Sequence, residues 1–144
     1  MITVEQLVKD KVNQEVWSVT PHTTVIDTLH LLAEKSIGAV LVMDGERLVG
    51  VFSERDYARK GIVQGRKAKS TPVAEVMTPR VYTVSLDMNI QDCMQLMTQR
   101  KIRHLPVLDD GKVVGVLSIG DIVMAMIQEQ GHHIEFLEQY ITGI

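Results

Sequence analysis

Gly115-Val116-Leu117-Ser118-Ile119-Gly120-Asp121 repeats the pattern of Gly50-Val51-Phe52-Ser53-Glu54-Arg55-Asp56, 65 residues further along the chain. The same offset pairs Val16 with Val81, Asp27 with Asp92, Leu31 with Leu96, Ile37 with Ile102, Val42 with Val107 and Val49 with Val114, all without a gap. A register that long marks an internal duplication, so the chain is read as two copies of one unit. Each copy ends an apolar strand at a glycine and then sets a hydroxyl and a carboxylate three residues apart. That arrangement points to two sites, or to one site in two halves.

Working outward, each copy offers the same series of elements. Val16 to Val19 reads as a short strand closed by Thr20-Pro21. Thr24 then starts a helix with Asp27 three residues on, and Asn89 with Asp92 gives the same start in the second copy. Val25, Leu29 and Leu32 form one buried stripe; Ile90, Cys93, Met94 and Met97 form the other. Two apolar strands follow, Ala39 to Met43 and Leu48 to Phe52, around Asp44-Gly45-Glu46-Arg47. Their counterparts are Leu105 to Leu108 and Val113 to Leu117, around Asp109-Asp110-Gly111-Lys112. Asp-Gly between apolar runs is a hairpin signal. A helix then follows each Ser-x-x-Asp, from about Asp56 to Lys60 and from Asp121 to about Gln130. The predicted unit is strand, helix, strand, strand, helix.

Three stretches lie outside the repeats. Residues 1–12 place Val4, Leu7, Val8 and Val12 at roughly helical spacing, an amphipathic lead-in. Gly61 to Thr71, with Arg66, Lys67 and Lys69, reads as a polar, exposed connector. After Gly131, the stripe of Ile134, Leu137 and Ile141 predicts an amphipathic helix over 131–144 that wants a partner surface. The organisation expected is 1–71 for the first repeat with its lead-in and linker, 72–130 for the second, and 131–144 for the terminal helix.

The 144 residues are 45% hydrophobic and 23% charged, an ordinary composition for a folded domain. Only 4% are aromatic, so the core must be aliphatic and methionine-filled. A net charge of −3 argues against nucleic-acid binding through a broad basic surface. The single cysteine, Cys93, excludes an intrachain disulfide and fits a reducing compartment. No apolar run approaches the length of a membrane span, and no signal-peptide pattern opens the chain. A cytoplasmic protein without a membrane partner is expected. The histidines His22, His30, His132 and His133 lack metal-ligand spacing, and no nucleophile–base pair or glycine-rich phosphate loop is readable. No enzyme activity is expected.

The doubled unit, ending in Gly, two apolar residues and Ser-x-x-Asp, resembles a tandem pair of cystathionine-β-synthase-type (CBS) domains. Met77-Thr78-Pro79, Ile102-Arg103-His104-Leu105-Pro106-Val107 and Ser53-Glu54-Arg55-Asp56-Tyr57 are also typical of that family. The resemblance covers about residues 10–130 and is specific as a set. It implies an α+β (α/β) fold of two β-α-β-β-α repeats, related by a pseudo-two-fold axis and packed through their sheets. It also implies homodimers that bind adenosine-containing ligands (AMP foremost, then NAD, ATP or ADP, or S-adenosylmethionine) and that regulate an effector protein rather than catalyse.

In the family each cleft is shared between repeats. Carried over, one site joins Ser118, Ile119, Gly120 and Asp121 to Val12, Trp17, Ile37, Gly38 and Ala39, with Arg103 and His104 reaching a phosphate. The other joins Ser53, Glu54, Arg55 and Asp56 to Met77, Thr78, Pro79, Tyr82 and Ile102. The two are not equivalent, since Arg103-His104 aligns with Gly38-Ala39 and Arg55 with Gly120. The Asp121 cleft is expected to favour a mononucleotide such as AMP.

The chemistry suits such ligands. A carboxylate at a helix start can accept two hydrogen bonds from a ribose diol, and a nearby hydroxyl with helix N–H groups suits phosphate. Against this stands the plainer reading of Ser-x-x-Asp as a helix N-cap. Trp17 and Tyr82 can stack on adenine or simply pack in the core or a dimer, and His104 can be a strand-end residue alone. The competing function is a ligand-independent interaction module in which the dimer itself is the product.

Overall fold

Each repeat builds its sheet around a central strand that buries three consecutive residues, Val40–Val42 in one copy and Leu105–Val107 in the other. A computed structural model describes residues 2–10 and 16–130, which form two units. One unit is residues 16–81; the other combines residues 1–15 with 82–144. The anticipated terminal helix over 131–144 and Val12 lie outside the described residues.

In the unit of residues 16–81, β1 (Ser18–Val19) runs parallel to β2 (Ala39–Asp44), and β2 pairs antiparallel with β3 (Arg47–Ser53). Helix α2 (Val25–Lys35) links β1 to β2. The N-cap Thr24 accepts the amide of Asp27 at 3.2 Å, the start expected from the sequence. Its core is Val25, Leu32, Val40, Val42, Phe52, Val73 and Val76.

The second unit repeats this plan. Strand β4 (Val84–Ser85) is parallel to β5 (His104–Asp109), which is antiparallel to β6 (Lys112–Ser118). Helix α4 (Ile90–Arg100) starts at Asn89, which accepts the Asp92 amide at 2.8 Å, and buries Ile90, Cys93, Met94 and Met97, the stripe expected. Both hairpins carry a register shift one strand-turn before the loop, at Val42/Met43 and at Val107/Leu108. The loops differ: Asp110 and Gly111 both take positive φ, as a type I′ turn requires, whereas the first loop has positive φ at Gly45 alone, as in type II′.

Three expectations change. The helices after the Ser-x-x-Asp pairs start two residues earlier than read: α3 is Glu54–Asp56 and α5 is Ile119–Gln130. The serines are therefore the caps, and each aspartate sits in the first turn. Second, α3 continues as a π-helical turn over Tyr57–Ile62, within which the Tyr57 ring lies against Gly61, where a Cβ would stand 2.9 Å from the ring. Third, the 61–71 connector is not exposed throughout. Gly61 and Thr71 are buried, and the carbonyls of Ala68 and Thr71 accept the first amides of α2 at 2.9 and 2.8 Å.

Each unit is completed by a segment from beyond its own repeat. Helix α1 (Val4–Asp10) joins the second repeat: Val4 is fully buried there, and its amide donates to Met88 at 2.8 Å. Residues 73–78, just ahead of the second repeat, join the first. Val73 and Val76 enter its core, and Thr78 exchanges backbone hydrogen bonds with Val51 on the edge of β3 at 2.8 and 3.0 Å.

Candidate ligand site

The end of β3 turns into α3 through a capping box. The Asp56 amide donates to Ser53 Oγ at 3.2 Å, and the Ser53 amide returns a hydrogen bond to Asp56 Oδ2 at 2.9 Å. The second copy repeats it, with Asp121 N to Ser118 Oγ at 3.1 Å and Ser118 N to Asp121 Oδ2 at 2.8 Å. Capping, the plainer reading of the motif, is thus a fact of both copies. It spends one carboxylate oxygen's lone pair on the backbone and holds the side chain in one orientation.

What surrounds the two carboxylates differs. In the first copy, Met77 and Thr78 arrive on β3, and a Cβ at Gly50 would collide with the Met77 thioether and stand 3.1 Å from the Thr78 carbonyl. A larger residue at Gly50 would push the Met77 side chain aside and press on the segment that carries Thr78. The Thr78 hydroxyl donates to Asp56 Oδ1 at 2.9 Å, and the Ser53 hydroxyl to Oδ2 at 3.1 Å. Lys60, which sequence reasoning missed, brings its Nζ to 3.7 Å from Asp56 Oδ1, 3.3 Å from the Met77 carbonyl and 3.5 Å from Thr78 Oγ1. Its signal was the i, i+4 spacing from Asp56. Glu54 and Arg55 are exposed on the outside of the turn, as is Pro79.

In the second copy, Asp121 lines a cavity of about 160 Å³ with Ile2, Leu7, Asp10, Met124, Ala125 and Gln128. Asp10, a second carboxylate on this cavity, was also missed; only its place in the amphipathic lead-in pointed to it. Gly120 is exposed, and a Cβ there would meet nothing nearer than Ser118 Oγ at 3.6 Å. At Gly115 a Cβ would make ordinary contact with Val8 at 3.4 Å, so this glycine is less demanded than Gly50.

The residues before each second strand lie over the following helix start. The Ile119 amide donates to the Arg103 carbonyl at 2.9 Å, and His104 pairs in register with Ser118. Correspondingly, the Glu54 amide donates to Gly38 at 3.2 Å, and Ala39 pairs with Ser53. The structure therefore gathers Arg103, His104, Ser118, Ile119, Gly120 and Asp121 in one unit. It gathers Ser53, Glu54, Arg55, Asp56, Met77 and Thr78 in the other. Trp17, Ile37, Gly38 and Ala39 belong to the unit of Asp56, while Tyr82 and Ile102 belong to that of Asp121.

The aligned aromatics have matching partners. The Lys35 ammonium lies 4.3 Å from the Trp17 ring centre, and the Arg100 guanidinium 4.9 Å from that of Tyr82. One face of each ring is thus covered by a cation from its own repeat's first helix, and both rings also pack on their cores. Among the described residues there is no cluster of three or more potential metal ligands, and no helix long and apolar enough to cross a membrane.

Comparison with known proteins places this geometry among relatives. The family model described as CBS domain matches residues 4–62 and again 73–128. The chain is 42% identical over 129 residues to the mitochondrial CBS domain-containing protein CBSX3 of Arabidopsis thaliana, covering 86% of this chain and 63% of that relative. The solved structure of a protein with CBS domains from Burkholderia ambifaria is 46% identical with a TM-score of 0.86, covering 90% of this chain and 96% of that one. The structure of CBSX2 in complex with AMP is 32% identical with a TM-score of 0.73, covering 88% and 97%.

Proposed function

The chain belongs to the CBS domain family, and from that premise we propose that it is a regulatory module binding an adenosine-containing ligand, AMP foremost, through its Ser-x-x-Asp turns. The observation that carries this reading is the capping box of Ser118 and Asp121. It fixes a carboxylate on the wall of a solvent-open cavity, with the Arg103 backbone bonded to the same helix start. A carboxylate so oriented grips a ribose diol through charge-assisted hydrogen bonds. The complex of CBSX2 with AMP supports the same ligand class.

The remaining assignments stand with this reading. Arg103 and His104 take a phosphate, Trp17, Ile37, Gly38 and Ala39 complete the Asp121 site, and Tyr82 and Ile102 complete the Asp56 site. NAD, ATP, ADP and S-adenosylmethionine share the adenosine contacts. Exposed apolar side chains support a homodimer that passes ligand state to an effector protein: Met124 on α5 is 56% exposed and Val63 is 74% exposed.

Thermal unfolding with and without AMP tests the reading. AMP at a hundredfold excess over its dissociation constant stabilises the native chain by about 2.7 kcal/mol. Asp121→Asn keeps the side-chain shape and weakens AMP binding by roughly tenfold or more, the worth of one charge-assisted hydrogen bond. An AMP response untouched by that substitution refutes the assignment of Asp121. The second reading, a ligand-independent dimer module, draws on the Asp56 turn, whose carboxylate is already occupied by its own chain. Native mass spectrometry of the purified protein separates the two: released nucleotide favours the sensor, and an empty dimer that stays empty with added nucleotide favours the module.

A further inference from the structure

An ionised carboxylate has about four lone-pair positions; at Asp56 hydrogen bonds from within its own unit take three, and an ammonium faces the fourth. Oδ2 accepts from the Ser53 amide at 2.9 Å and the Ser53 hydroxyl at 3.1 Å. Oδ1 accepts from the Thr78 hydroxyl at 2.9 Å and faces the Lys60 ammonium at 3.7 Å. The carboxylate is mostly buried, its side chain 13% exposed, whereas the Lys60 side chain is 42% exposed. A ribose diol arriving at Asp56 needs acceptor positions and so must displace donors.

The donors are not equally held. The Ser53 amide is fixed by the capping box, and the Thr78 hydroxyl hangs one carbon from a backbone held by two bonds to Val51. Lys60 makes the longest contact, and its ammonium sits at the end of a flexible side chain. Its backbone, in contrast, is pinned: Arg66 Nη1 donates to the Lys60 carbonyl at 2.6 Å. The ammonium can therefore leave Asp56 without leaving the site. The aligned position in the second repeat is Ala125, which is buried and carries no charge.

Resting on the adenosine reading above, we propose that Lys60 is the exchangeable partner of Asp56 and makes this turn selective for ribose ligands that carry their own anion, nucleotides over nucleosides. A neutral nucleoside takes the carboxylate and leaves the ammonium without its counter-charge. A nucleotide displaces the same ammonium and re-pairs it with phosphate. Lys60 thus penalises the first ligand and rewards the second.

Calorimetric titration of the full chain with AMP and with adenosine tests this in an Asp121→Asn background, where the other turn is weakened and the binding that Lys60 substitutions change is that of the Asp56 turn. AMP should bind at least about tenfold tighter than adenosine, the worth of one charge-assisted pair. Lys60→Met should bring the two within about threefold, by weakening AMP and tightening adenosine together, while Lys60→Arg should keep the preference. Melting curves of the three proteins show that each is folded. A preference for AMP that survives Lys60→Met overturns the proposal, as does equal affinity in the parent. Binding that disappears altogether with Asp121→Asn also overturns it, since Asp56 then takes no ligand. Failure of the unmodified chain to bind either compound is the distinct result that fells the adenosine reading, and this one with it.

Discussion

Cys93 shows how a single side chain ties the interior to solution conditions. It is fully buried against the second unit's core, and that burial, with the Asp92 carboxylate as a lesser cause, pushes its thiol from 9.0 to about 11. Between those values the unfolded chain gives up the proton and the native chain keeps it. The stability due to Cys93 is therefore complete below pH 9 and is lost as pH rises toward 11. Melting temperature against pH should fall more steeply over that window for the wild type than for Cys93→Ala, and parallel profiles would refute the assignment. Among the site residues, Ser53, Asp56, Ser118 and Asp121 were legible because the motif occurs twice at one offset. Lys60 and Asp10 were not read: the i, i+4 spacing of Lys60 from Asp56 marks a pair only once a helix is known to run through both, and no spacing ties Asp10 to Asp121.

The helices α2 and α4 end alike, on residues that are not glycine. Ser36 at φ 54° and Lys101 at φ 55° both take the left-handed conformation at the C-terminal cap. That conformation costs a residue with a Cβ about 1–2 kcal/mol, part of which glycine's greater freedom in the unfolded chain offsets. Ser36→Gly and Lys101→Gly should each stabilise the protein by about 0.5–1 kcal/mol, seen as a higher denaturation midpoint at unchanged slope. A lower midpoint for both would mean that these ends are held by something other than their backbone. Much at this scale was readable beforehand. Apolar runs on either side of an Asp-Gly pair gave away β2, β3, β5 and β6, and Thr24 and Asn89 announced the helices they cap. The π-helical turn was hidden, because the repeat argues for like structure in both copies, whereas Tyr57 and Gly61 stand where the second copy has Ile122 and Met126 and continues as an ordinary helix.

At the scale of the whole chain, each unit is completed by a segment that stands, in sequence, ahead of the other repeat. Helix α1, which precedes the first repeat, is bonded to the second, and residues 73–78, which precede the second repeat, are bonded to the first. Deleting residues 1–10 should accordingly strip hydrogen-exchange protection from strands β4–β6 and helices α4 and α5, while residues 25–53 keep theirs. Equal loss in both units, or no loss in either, would contradict this. The pattern was illegible because each docking contact joins residues far apart in sequence, and amphipathic spacing records that a face is apolar without naming its partner.

The exchange also sets an order of events during synthesis. Residues 16–81 hold every strand and helix of their unit in one continuous run, and can close as soon as residue 81 clears the ribosome. Helix α1 is made before that run, yet its backbone partner Met88 lies 84 residues beyond Val4. Until then its apolar face has no core to enter, so the nascent chain carries an unsheltered helix across the whole interval in which its neighbour folds. A pause in translation after residue 81 would lengthen that exposure, and chaperone capture of the growing chain should centre on residues 4–10.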